Sequence, residues 1–139
     1  MDKANGLYDE AVLEKASRTF WGYLGCELIR QDEREVVIGL DIKEHHLNMI
    51  GILHGGVHTS LLDTAMGMIA MVARPSEDVV TSSLNMHFTA PIRTGRVTAT
   101  ASIAHMSGRM ITAEGRLTGE DGKLLSLATA SFRVIERKG

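Results

Sequence analysis

With a single cysteine, Cys26, the chain of 139 residues has no internal disulfide open to it. Such sparing use fits a reducing compartment. Its two prolines, Pro75 and Pro91, stand apart and make no proline-rich linker. One tryptophan, two tyrosines and three phenylalanines are too few for a base-stacking platform. A formal net charge of −2 lacks the basic excess of a general nucleic-acid binder. Long hydrophobic runs are missing too: the most apolar stretch, residues 61–73, is shorter than a bilayer span and contains Asp63. Residues 1–6 lack the basic-then-apolar pattern of a secretory leader. The expectation is a cytoplasmic protein with no nucleic-acid and no membrane partner. There is no repeat and no low-complexity tract, so a single domain is expected, long enough to bury a core without a disulfide or metal staple.

What is present is an ordinary globular composition, 44% apolar and 23% charged. The small net charge hides an asymmetry. Residues 1–69 hold six Lys/Arg against eleven Asp/Glu, or −5; residues 70–139 hold nine against six, or +3. The basic residues of the second half include Arg93, Arg96, Arg109, Arg116, Arg133, Arg137 and Lys138, a set suited to an anionic ligand.

Periodicity outlines an α+β chain. Residues 9–20 read as a helix capped by Asp9, with Val12, Leu13, Ala16 and Phe20 at helical spacing. Extended segments follow at residues 24–30 and around Val36, Ile38, Leu40 and Ile42. A glycine-bearing loop then leads into the longest helix, residues 55–72. Val57, Leu61, Ala65, Met68 and Val72 form its apolar stripe. Asp63 is its only acidic or basic residue and points away from that stripe, among Gly56, Thr59, Gly67 and Ala70. Four strand-like segments close the chain. In the first, Leu84, Met86 and Phe88 face one way and Thr81, Ser83, Asn85 and His87 the other. Turn signals at Thr94-Gly95, Ser107-Gly108 and Asp121-Gly122 suggest hairpins between antiparallel neighbours. Helices set against one antiparallel sheet are the expected class.

The chemistry concentrates in Asn48-Met49-Ile50-Gly51-Ile52-Leu53-His54-Gly55-Gly56, followed by Asp63. A glycine pair opening a helix leaves N–H groups pointing along the helix dipole, where they can stabilise a developing oxyanion. A turn is the plainer reading of such a pair, and a structural hydrogen bond the plainer reading of Asp63. Two helical turns rise about 11 Å, so Asp63 cannot readily serve a group held at the start of its own helix. If both act on one substrate, they come from different chains. No metal is expected. His45, His46, His54 and His58 are close in sequence, but the glutamate of the zinc-protease motif and a second ligand cluster are missing. Phosphate-loop and nucleophile-elbow patterns are missing as well. The eight methionines read as core filling, with an adaptable acyl pocket as the alternative.

This run, with Leu61-Leu62-Asp63-Thr64-Ala65 and Gly67, resembles the hotdog-fold acyl-CoA thioesterases, in particular the phenylacetate-pathway type. The resemblance continues through Asn85-Met86-His87-Phe88-Thr89-Ala90-Pro91, Gly108-Arg109 and the closing strand, covering roughly residues 20–135. It implies a hotdog domain over residues 21–139 behind a helical extension over residues 1–20. It also implies a homodimer, commonly paired into a homotetramer, that hydrolyses acyl-CoA, aromatic acyl groups included, without a cofactor. Carried over by residue, Gly55 donates its N–H to the thioester carbonyl, His54 orients or polarises that carbonyl, and Asn48 positions substrate or water. Asp63 of the partner chain acts as general base or as nucleophile. Thr81 helps hold the water, with Ser82 or Ser83 in its place if the strand register differs. Gly56, Ser82 and Ser83 are further candidates for contact with substrate or CoA, and Arg93, Arg96 and Arg109 are the candidates for the CoA phosphates. A non-catalytic acyl-CoA sensor is the alternative, although the residues before the domain are too few for a helix-turn-helix. Hotdog dehydratases are disfavoured, because they carry a histidine five residues after the aspartate, where this chain has Met68.

Overall fold

The computed structural model describes residues 7–137, so the leader reading of residues 1–6 and the charge of Lys138 lie outside the described residues. In chain order the elements are α1 (Glu10–Ala16), α2 (Phe20–Leu24), β1 (Glu27–Gln31), β2 (Glu35–Asp41), α3 (Gly55–Ala73), β3 (Asp78–Phe88), β4 (Arg96–Ser107), β5 (Met110–Gly119) and β6 (Leu124–Ile135). All strands are antiparallel to their neighbours in one six-stranded sheet ordered β1-β2-β4-β5-β6-β3. The sheet wraps α3, which touches every strand from β2 to β6. This is the hotdog arrangement, as expected.

Alternation builds the sheet. Val97, Ala99 and Ala101 of β4 and Ile111, Ala113 and Leu117 of β5 turn inward and are buried. From α3, Leu61, Leu62, Ala65, Met66 and Ile69 meet them, with Phe132 of β6 across the core. Gly115 permits this closeness: a Cβ there would stand 3.1 Å from Leu62 and 3.3 Å from Met66. By length and composition alone α3 could cross a membrane. Here it is the core of the sheet, and its buried residues fill that core.

Four sequence expectations change. The amino-terminal helix does not run to Phe20. Ser17 and Thr19 hydroxyls bond the carbonyls of Glu14 and Ala16, which ends α1, and α2 starts at Phe20. Phe20 is exposed, so the stripe it was to complete does not form. The first strand starts at Glu27 rather than Leu24, because α2 runs through Leu24 and closes on left-handed Gly25. Thr94-Gly95 does not join a hairpin. Both edges of β4 are taken by β2 and β5, so β3 goes to the far edge beside β6. The remaining two turns do join hairpins, β4–β5 and β5–β6.

The fourth change bears on the site. Thr81 pairs with Phe132 and Ser83 with Ser131, leaving Ser82 as an extra residue in β3. This bulge reverses the alternation. Thr81 therefore shares the helix-facing side with Leu84, Met86 and Phe88, whose partners Ala130, Ala128 and Ser126 are buried.

Candidate active site

The loop before α3 is a small closed structure. Leu47 bridges Leu53, and the Asn48 N–H donates to the Ile52 carbonyl at 2.8 Å. The Asn48 side-chain oxygen accepts from the N–H groups of Ile50 (3.1 Å) and Ile52 (3.2 Å). Its amide NH2 has no partner among the described residues. Arg93 straps the loop from outside, donating to the carbonyls of Ile50 (3.1 Å) and Gly51 (3.2 Å). Buried His46 anchors the start of the loop. Its Nδ1 accepts from the Lys43 N–H, its Nε2 donates to the Leu24 carbonyl at 2.8 Å, and its own carbonyl accepts from His54. Burial first, then the charges of His45 and Lys43, lower the His46 pKa against the raising effect of the Leu24 bond.

His54 is the cap of α3. Its backbone is extended at φ −62 and ψ 136, and its Nδ1 accepts the Gly56 N–H at 2.7 Å. That fixes the neutral tautomer with the proton on Nε2. The His54 carbonyl takes the N–H groups of Val57 and His58. One donor of the first turn is left over: the Gly55 N–H has no partner among the described residues. It stands at the positive end of a helix of 19 residues.

Gly55 and Asn48 line a cleft of about 390 Å³, with Leu53, His58 and Phe88 in its walls and residues 89–91 closing it. Its size is that of a small-molecule site. Asp63 lies two turns further along α3, half-buried, and its Oδ1 accepts the Thr81 hydroxyl at 2.8 Å within the same chain. The carboxylate thus sits beside one of the sheet's two free edges, since β3, like β1 at the other end, has a single neighbour among the described strands.

The other sequence candidates are spread out. Gly56 has given its N–H to His54. The Ser82 hydroxyl donates to the Ser131 carbonyl at 3.1 Å, and Ser83 is exposed on the side facing away from α3. Arg96 lies between Glu27 (3.2 Å) and Asp41 (3.0 Å) and is not part of the cleft lining. Arg109, on the β4–β5 turn, is paired to Glu77 (3.2 Å) and to the Val134 carbonyl. Of the three arginines, Arg93 alone reaches the cleft loop, and it has no carboxylate partner among the described residues.

Among the wall residues not singled out from the sequence as site residues are Phe88 and His58. Phe88 ends β3 on the helix side, and its ring meets His58 edge-on at 5.4 Å. His58 is buried, and burial lowers its pKa, so it is neutral near pH 7. The signal available for His58 was a lone imidazole in a helix otherwise almost free of titratable groups.

The model of the thioesterase superfamily matches residues 50–126, more than half of the chain. Among curated proteins, the 1,4-dihydroxy-2-naphthoyl-CoA hydrolase of Listeria monocytogenes is 28% identical over 83% of this chain and 94% of its own length. Among solved structures, a thioesterase of Haemophilus influenzae superposes with a TM-score of 0.86 at 22% identity, covering 94% of this chain and 92% of that one. A thioesterase of Pseudomonas aeruginosa, carrying one substitution, gives 0.85 at 23% identity, covering 91% and 92%.

Proposed function

The chain belongs to the thioesterase superfamily, and from that premise we propose that it hydrolyses acyl-coenzyme A thioesters to the free acid and coenzyme A, at sites built from two protomers. The observation that carries the proposal is the Gly55 N–H at the start of α3, which has no partner among the described residues and belongs to a residue lining a cleft of substrate size. Thioester hydrolysis needs a donor where negative charge develops on the carbonyl oxygen, and an activated water. Gly55 supplies the donor. His54 holds the helix start in shape and keeps a second donor on Nε2. The Asn48 amide orients the thioester or the water.

Asp63 supplies the base, from the partner. Its carboxylate takes a proton as water adds to the thioester carbon. The tetrahedral intermediate then expels the thiolate, which recovers that proton to leave as the thiol. An anhydride formed by direct attack of Asp63 is the other route. Either way the carboxylate must approach from another chain, because two turns of α3 separate it from Gly55. The exposed edge of β3 supports the pairing. Two copies joined there continue the sheet and bring each Asp63 to the seam. Thr81 holds the carboxylate in place from its own chain. Arg93 is the residue we assign to the CoA phosphates, since Arg96 and Arg109 already face carboxylates. The Listeria hydrolase, whose named substrate is an aromatic acyl-CoA, supports an aromatic acyl group among the substrates.

A panel of aromatic and aliphatic acyl-CoA esters, followed by thiol release, tests the reaction. Turnover of at least one ester is expected, with acid and thiol formed in equal amounts. Tight binding of an ester without release of thiol from any member would overturn hydrolysis in favour of a binding module.

A further inference from the structure

One polar group in the cleft wall has no task in that chemistry. His58 is 3% exposed and Ser126, beneath it on β6, is 0% exposed. The His58 Nδ1 lies 2.9 Å from the Ser126 hydroxyl oxygen. Neither the Ser126 hydroxyl nor the His58 Nε2 has another side-chain partner among the described residues. The direction of this bond follows from what is buried. If Nδ1 carried the proton, the Ser126 O–H would be left buried without an acceptor among the described residues, which is costly. With Ser126 donating to Nδ1, both groups are satisfied and the imidazole proton stands on Nε2. His58 lines the cleft, and its Nε2–H is a buried donor with no partner among the described residues. The lining also holds the apolar Phe88, Leu53 and Ala90, beside the polar Asn48 and Thr89.

We infer that His58 determines specificity: its Nε2–H selects acyl groups that carry an oxygen acceptor, a hydroxyl or carbonyl oxygen, over hydrocarbon acyl groups of the same shape. This rests on the acyl-CoA reading of the same cleft. The oxygen recognised is not that of the thioester. His58 is three residues beyond Gly55, about 4.5 Å further along the helix axis and about 60° around it, so the two donors share a face but are offset along the cleft wall. A substrate without the oxygen leaves a buried donor unpaired, whereas one with it forms a bond shielded from water.

Matched thioesters test the inference: benzoyl-CoA against its ring-hydroxylated derivatives, and octanoyl-CoA against 3-hydroxyoctanoyl-CoA. For the best-placed hydroxyl, kcat/KM is expected to favour the oxygenated member about tenfold. His58→Leu combined with Ser126→Ala, which makes the buried pair wholly apolar, should bring the ratio to about one with the deoxy substrate still turned over. His58→Asn, which keeps a donor, should restore part of the preference. A wild-type ratio near one for every pair would overturn the inference and leave hydrolysis standing. An equal fall on both members in the apolar variant would also overturn it, by placing the donor on the thioester carbonyl. Non-hydrolysable thioether analogues of the same pairs, measured by calorimetry, read the preference as a ratio of Kd values even if no ester is turned over. A ratio near one there is equally fatal.

Discussion

Asp63→Asn is expected to lower kcat by about 10²- to 10⁴-fold, the range for removing a positioned general base, with KM little changed. The substitution is nearly isosteric. The side-chain oxygen that accepts the Thr81 hydroxyl at 2.8 Å is kept, so the tie between α3 and the edge strand survives. Asp63 is half-buried beside a free sheet edge and is not part of the hydrophobic core. The melting temperature should therefore move by no more than a few degrees. Thiol release under single-turnover conditions, beside a thermal melt, checks both halves. Hydrolysis at the wild-type rate would remove Asp63 from the chemistry.

Gly55→Pro is expected to cost kcat about 10²- to 10³-fold, the range for losing one oxyanion donor, while the fold persists. Proline normally damages a helix, but this position is the first of α3, where its fixed φ is favourable and the missing N–H leaves no helical bond broken. The residue before it is also compatible. His54 is extended at φ −62 and ψ 136, the conformation a residue preceding proline prefers. The substitution thus removes the N–H and little else. Gly55→Ala is the control. Its Cβ would lie 3.5 Å from the Phe88 ring, an ordinary contact, and its N–H is retained, so most of the turnover should remain. Equal losses in the two variants would point to crowding of the cleft instead of the donor.

Much of this architecture could be read from residue patterns, where local chemistry and tertiary environment agree. The inward alternation of β4 and β5 and the apolar length of α3 are of that kind. So is the loop of Asn48, His54 and Gly55, whose glycines and capping side chains act within a few residues of one another. What escaped depends on distant partners. Thr94-Gly95 has the composition of a hairpin turn, yet β4 has no edge to spare, a fact set by β2 and β5. No residue type demands the bulge at Ser82, although it decides that Thr81 meets Asp63. Arg96 looks free until Glu27 and Asp41, far off in sequence, are brought beside it. His58 acquires its meaning from Ser126, 68 residues away.

The central claim is that one protomer's Gly55 works with its partner's Asp63. Co-assembly of the two variants, each with its own tag and purified through both, tests it most directly. In a mixed dimer of Asp63→Asn and Gly55→Pro chains, one site then holds an intact Gly55 facing an intact Asp63, and the other site holds both defects. Two inactive proteins should yield an active one, with about half the turnover of the wild-type dimer because one of two sites works. If mixed dimers stay as inactive as either parent, Gly55 and Asp63 do not meet across the seam, and the two-protomer site is contradicted.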